Sequence, residues 1–159
     1  MDPHKGLFLP YGIGAVLVKD GDQLYRSHYY TANYMQDSLS ADEEVSPSEV
    51  SPELTKHFRG LRMWLSLQLF GVRPFRAALE EKIQLARYFY DTLVQQPGYE
   101  VGLPPALSIV LFRYRPPEGW DADAFNQALI QRVQQGGAVF MSSTSIDGHF
   151  YLRAAILSF

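Results

Sequence analysis

The chain has 159 residues, the size of one ordinary domain, and its 47% apolar content is enough to fill one core. A net charge of −3 with no basic stripe argues against nucleic-acid binding, and the absence of cysteine excludes disulfides and thiolate metal sites. No apolar run approaches the ~20 residues needed to span a bilayer, so the expectation is a soluble protein of the reducing cytoplasm.

The first stretch, "DPHKGLFLPYGIGAVLV", places Lys5 after Pro3 and His4 and before an apolar run. A lone lysine is most simply a solvated charge. A lysine held in a turn beside apolar chain is instead partly desolvated, which lowers its pKa and exposes a nucleophilic amine suited to Schiff-base chemistry. "GAVLVKDGDQLY" predicts a buried strand ending in an Asp20-Gly21 turn. From about Tyr29 to Ser51 there is no period, an acidic centre and two Ser-Pro steps, the pattern of a functional or disordered loop.

"SPELTKHFRGLRMWLSLQLFG" predicts a helix capped by Ser51, with Pro52 in its first turn, and with Leu54, Phe58, Leu61 and Leu65 on one face. Gly71 and Pro74 break it. A second helix follows, with Phe75, Leu79, Ile83, Ala86, Tyr90 and Leu93 at helical spacing, and "QQPG" stops it. Next come short strands at "YEVGL" and "LSIVLFRYR", then an Asp-capped helix from Asp121 to Gln135, ended by Gly136-Gly137. "AVFMSS" and "HFYLRAAILSF" pair as a hairpin across Asp147-Gly148. The fold class is α+β: a long broken helical segment and a shorter helix packed on a small antiparallel sheet. The chain opens one residue before its most unusual motif and stops inside an apolar strand, so it reads as a piece of something longer.

Three blocks carry a resemblance. "DPHKGLFLPYGIGAVLV", "FRGLRMWLSLQLFGVRPFRAALEEKIQLARYFYDTL" and "FYLRAAILSF" resemble, in order, the cofactor-lysine segment, the helix after the mobile loop and the last sheet strand of the group II pyridoxal-phosphate-dependent amino-acid decarboxylases. These include the aromatic-L-amino-acid, glutamate and histidine decarboxylases, with a fold of the aspartate-aminotransferase type. The chain resembles their C-terminal portion. The resemblance divides it into the end of a large cofactor-binding domain (1–28), a mobile loop (29–51), and an interdomain helix with an incomplete small domain (52–159).

The resemblance implies roles. Lys5 corresponds to the lysine that forms the internal aldimine with pyridoxal 5'-phosphate, and His4 lies near the cofactor phosphate, unless it merely fills a turn. Counting back from Gln36-Asp37-Ser38, Tyr30 matches a loop tyrosine that protonates the substrate carbon, with Tyr29 and Tyr34 as neighbouring alternatives. A phenol keeps its proton at neutral pH and serves as a general acid; the plain alternative is an aromatic packing the loop root. Arg153, in an apolar strand, matches an arginine that pairs with a substrate carboxylate, or is salt-bridged at the sheet edge. Arg59 and Arg62 correspond to structural positions that brace the loop or a dimer contact, while Lys56 and His57 depart from the arginines of many relatives. Gly12-Ile13-Gly14 reads as a turn, not a phosphate cradle, and the four histidines have no metal-ligand spacing, so no metal site is expected.

In the family the aspartate for the pyridine nitrogen, the ring-stacking group and the phosphate cup all precede the lysine, and the enzyme is a homodimer. The resemblance thus implies a decarboxylase fragment acting on an amino acid, inactive alone. The alternatives are a non-catalytic module that pairs with another chain, or a related pyridoxal-phosphate lyase, aldolase or transaminase.

Overall fold

A computed structural model describes residues 1–30 and 45–157, and the chain divides into two compact units. The first comprises Met1–His4 with Leu9–Leu69; the second comprises Lys5–Phe8 with Phe70–Phe159. Among the described residues no helix is long and apolar enough to cross a membrane, and no group of three or more His, Asp or Glu side chains could hold a metal ion.

The chain begins with a single helical turn, α1 (Pro3–Gly6), with proline at its first position, where its missing N–H costs nothing. In the first unit, α2 (Gly21–His28) begins where the Asp20 carboxylate accepts from the amides of Asp22 and Gln23 at 3.1 and 3.2 Å. The expected strand before it is absent. Among the described residues the segment pairs only at Ala15 and Met1, which exchange backbone hydrogen bonds of 2.9 Å, and Val16 and Leu17 are exposed. A strand is stable only beside another, and the aspartate read as a turn residue caps a helix instead.

The helix expected from Ser51 starts later, as α3 (Gly60–Phe70). Ser51 Oγ donates to the Pro47 carbonyl at 2.9 Å, so the hydroxyl closes a local turn and caps no helix. α3 is strongly apolar yet none of its residues is buried; Trp64, Leu69 and Phe70 are exposed.

The second unit is the better packed. It contains α4 (Arg73–Val94), β1 (Tyr99–Val101), β2 (Ile109–Tyr114), α5 (Ala122–Gly136), β3 (Ser142–Ile146) and β4 (His149–Ala155). The strands form an antiparallel sheet in the order β1-β2-β4-β3. Register pairs Val110 with Ala154 and Phe112 with Leu152, so alternation sends these four side chains to one face. Ala86 and Leu93 of α4 and Ile130 of α5 close over that face, and Val110 and Leu152 are fully buried. Phe89 meets Phe112 edge-on at 5.6 Å, an aromatic contact added to the area it buries.

The connections follow their residues. A Cβ on Gly98 (φ +86) would lie 2.7 Å from the Tyr114 ring, so only glycine allows β1 this close. Asp147 and Gly148 both have positive φ, as a two-residue type I′ hairpin requires. α5 is capped by Asp121 and ends on Gly137 in the left-handed conformation.

Among the described residues one polar side chain is buried. Asn126, fully enclosed, accepts from the Tyr114 amide at 2.8 Å and donates to the carbonyls of Tyr114 and Ala122 at 2.8 and 2.7 Å. It mimics a neighbouring strand for the last residue of β2 and fastens α5 to it. Asn126→Ala leaves the Tyr114 groups without their side-chain partner and should cost about 2–3 kcal/mol, read by urea unfolding with an unchanged m-value.

Candidate active site

Lys5 is the third residue of α1 and is exposed. His4, in the first unit, is half-buried, and its Nδ1 lies 2.6 Å from the Ile13 carbonyl. A carbonyl only accepts, so Nδ1 carries the proton and donates it, which leaves Nε2 as the ring's other polar atom. The Tyr11 ring meets the imidazole edge-on at 5.0 Å.

His4 lines an open cleft of about 590 Å³ in the first unit, together with Asp2, Tyr11, His57, Arg59 and Arg62. Arg62 donates from Nη1 to the Tyr11 carbonyl, and Arg59 lies 3.7 Å from Glu53 with both side chains half exposed, a pairing that contributes little. Two guanidinium groups and two imidazoles against one carboxylate give the cleft a lining that fits an anionic group such as a phosphate.

Tyr30 is 82% exposed and is not among the residues lining this cleft. The chain just before it is held: Tyr25 and Tyr29 stack at 4.7 Å, and the Tyr29 amide donates to the Tyr25 carbonyl at 2.7 Å. Desolvation, then Tyr29 and the Glu49 carboxylate, hold the Tyr25 phenol above its usual pKa. Tyr34 and Gln36-Asp37-Ser38 lie outside the described residues, as does the acidic tip apart from Val45.

Arg153 belongs to the second unit. It lies in β4 opposite Leu111 and Ser142, on the sheet face away from the helices, and donates to Ser142 Oγ at 3.1 Å. Among the described residues no carboxylate lies within ion-pair distance of it, so the salt bridge expected as its structural explanation is not formed. The acid on this face, Glu100, is taken by Arg113 at 2.9 Å and by Arg115 at 3.1 Å, with the Tyr151 hydroxyl 3.4 Å from its other oxygen. Partial burial raises the pKa of Glu100, but the hydrogen bonds and charges of the two arginines outweigh it and hold the carboxyl below its ordinary range.

Of the four residues singled out in the sequence, His4 and Tyr30 thus fall in the first unit, and Lys5 and Arg153 in the second. Arg62 was expected only as a brace, and its bond to a backbone carbonyl 51 residues away has no sequence signal.

Residues 1–115 match the sequence profile of the pyridoxal-dependent decarboxylase conserved domain. The chain belongs to this family. It is 34% identical over 157 residues to an aromatic-L-amino-acid decarboxylase of Bacillus atrophaeus, covering 96% of this chain and 33% of that one. It is 31% identical over 160 residues to tyrosine decarboxylase 2 of Arabidopsis thaliana, covering 98% and 29%. The crystal structure of Oryza sativa TDC with PLP and tryptamine superimposes with a TM-score of 0.77 at 26% identity, over 87% of this chain and 30% of that one. The chain therefore spans about a third of the length of the curated relatives it matches.

The Glu100 cluster gives a pH-dependent expectation. A carboxyl whose folded-state pKa is depressed adds stability above its unfolded value and loses it as pH falls through the folded one. Glu100→Gln should lower stability by about 1–2 kcal/mol near pH 7. The gap should persist down to the unfolded value of 4.5 and close below it, as parallel urea titrations across that range would record.

Proposed function

We propose that this chain forms part of a pyridoxal-phosphate-dependent amino-acid decarboxylase in which Lys5 holds the cofactor. The observation that carries the reading is the family match over residues 1–115, which includes the Asp-Pro-His-Lys segment. The names of the relatives support an amino acid with an aromatic side chain as substrate. Activity is proposed for a protein of the relatives' full length; this stretch alone should take up cofactor weakly and not turn over.

Bound pyridoxal phosphate supplies an electron sink that lets carbon dioxide leave the substrate's α-carbon. The rest falls to the chain's own residues. The Lys5 amine is the covalent attachment point. His4 has Nδ1–H committed to the Ile13 carbonyl and would donate to the cofactor's phosphate only through an Nε2 that also carries a proton, while the two guanidinium groups lining its cleft support an anion there. Tyr30, which ends the described part of the first unit before the loop, would act as the general acid toward the substrate's α-carbon. Arg153 recognises a substrate carboxylate, a role supported by its lack of an acidic partner among the described residues.

Lysine selectivity tests this reading. After incubation with pyridoxal phosphate and borohydride reduction, peptide mass mapping should find the pyridoxyl adduct on Lys5 well above Lys19, Lys56 and Lys82. Lys5→Ala should abolish the selective adduct. Even labelling of all these lysines would overturn the assignment of Lys5.

A further inference from the structure

Arg62, in the first turn of α3, donates from Nη1 to the Tyr11 carbonyl, far back along the chain. Gly12 follows with φ +87, and a Cβ there would stand 3.1 Å from the same Nη1. Its backbone conformation and the space beside it both suit glycine, and the guanidinium uses that space. The next residue, Ile13, is 3% exposed, and its carbonyl takes the Nδ1 proton of His4 at 2.6 Å. The Tyr11 ring meets the other side of this arrangement, edge-on to the imidazole at 5.0 Å. One cation therefore holds a segment of three residues, and two of them contact His4.

We propose that Arg62 is a positioning residue: by clamping the Tyr11–Gly12 turn it fixes the tautomer and orientation of His4, and so which ring nitrogen is committed to the backbone and which is left as an acceptor. The importance of His4 rests on the function proposed above; the clamp itself does not. A neutral imidazole has one N–H to place. While the Ile13 carbonyl is held against Nδ1, the proton stays there and Nε2 is left as an acceptor, free to take a hydrogen bond or a second proton. If the turn drifts, the carbonyl leaves, and the proton is shared between the two nitrogens. Arginine suits the task because its guanidinium stays protonated and its planar fork is pre-organised for hydrogen bonding.

The test is the histidine ring spectrum of the 15N-labelled chain at alkaline pH, where imidazoles are neutral. In the unmodified chain the Nδ1–H form of His4 should outweigh the other by a factor of about five to ten, the size of one net hydrogen bond. Arg62→Met should bring the two forms near parity, whereas Arg62→Lys, which keeps a cationic donor, should restore most of the preference. The rings of His28 and His149 serve as controls, and the amide signals of the sheet report that the chain is folded. If Arg62→Met does not fold, Gly12→Ala attacks the same contact from the turn side and should cause the same loss. An unchanged His4 ratio in either folded variant overturns the proposal. The readout needs no cofactor, so the two ideas fail separately. Selective labelling of Lys5 with an unmoved His4 ratio sinks the clamp alone; a shifted ratio with even lysine labelling sinks the Lys5 assignment alone.

Discussion

A strand in a sheet covered on one side can bury only every second side chain, and the second unit is organised around that limit. Once β2 and β4 pair with Phe112 opposite Leu152, Val110 and Ala154 must join them under the helices. The same register sends Leu111, Arg113, Tyr151 and Arg153 to the other face, where charged groups keep contact with water. A slip of one residue would exchange the two sets, burying Arg153 among apolar side chains and exposing Leu152. The placement of the candidate substrate-binding arginine is thus fixed by core packing several ångströms away from it.

The helices and strands of this unit were legible because local preference and tertiary packing agree there. The face formed by Ala86, Tyr90 and Leu93, the Asp121 cap, the Gly137 stop and the Asp147-Gly148 hairpin each follow from residue chemistry that works over a few positions. The first unit was harder to read. "GAVLV" has the composition of a buried strand, but pairing is a property of two segments, and among the described residues no ladder forms beside it. Ser51 and Pro52 have the chemistry of a helix start, yet the Ser51 hydroxyl is spent on the Pro47 carbonyl and the helix waits until Gly60.

The candidate site divides in the same way. Lys5 and His4 were singled out because their neighbours in sequence form a recognisable motif. Arg153 was noticed because a charge within an apolar strand requires an explanation. The contact of Arg62 with the Tyr11 carbonyl left no mark in the sequence, since any residue supplies a backbone acceptor. Only Gly12 hints at it, and a glycine in a turn has many other causes. Side chains that act on backbone far away are the part of a site that pattern reading is least able to find.

The Glu100 carboxylate serves Arg113, Arg115 and Tyr151 at once, and Arg113 also lies over the Tyr151 ring at 5.2 Å. Groups that share one hub do not vary independently. Losing the acid leaves Arg113, among the described residues, only the longer contact with Asp123 at 4.0 Å, while losing Arg113 removes the acid's best-buried partner, so the effects of the two changes do not simply add. Lineages that keep this fold should therefore retain or replace these positions as a set, passing through few intermediates with one member changed. The open face of the sheet carries a historical constraint of this kind, whatever chemistry the chain performs.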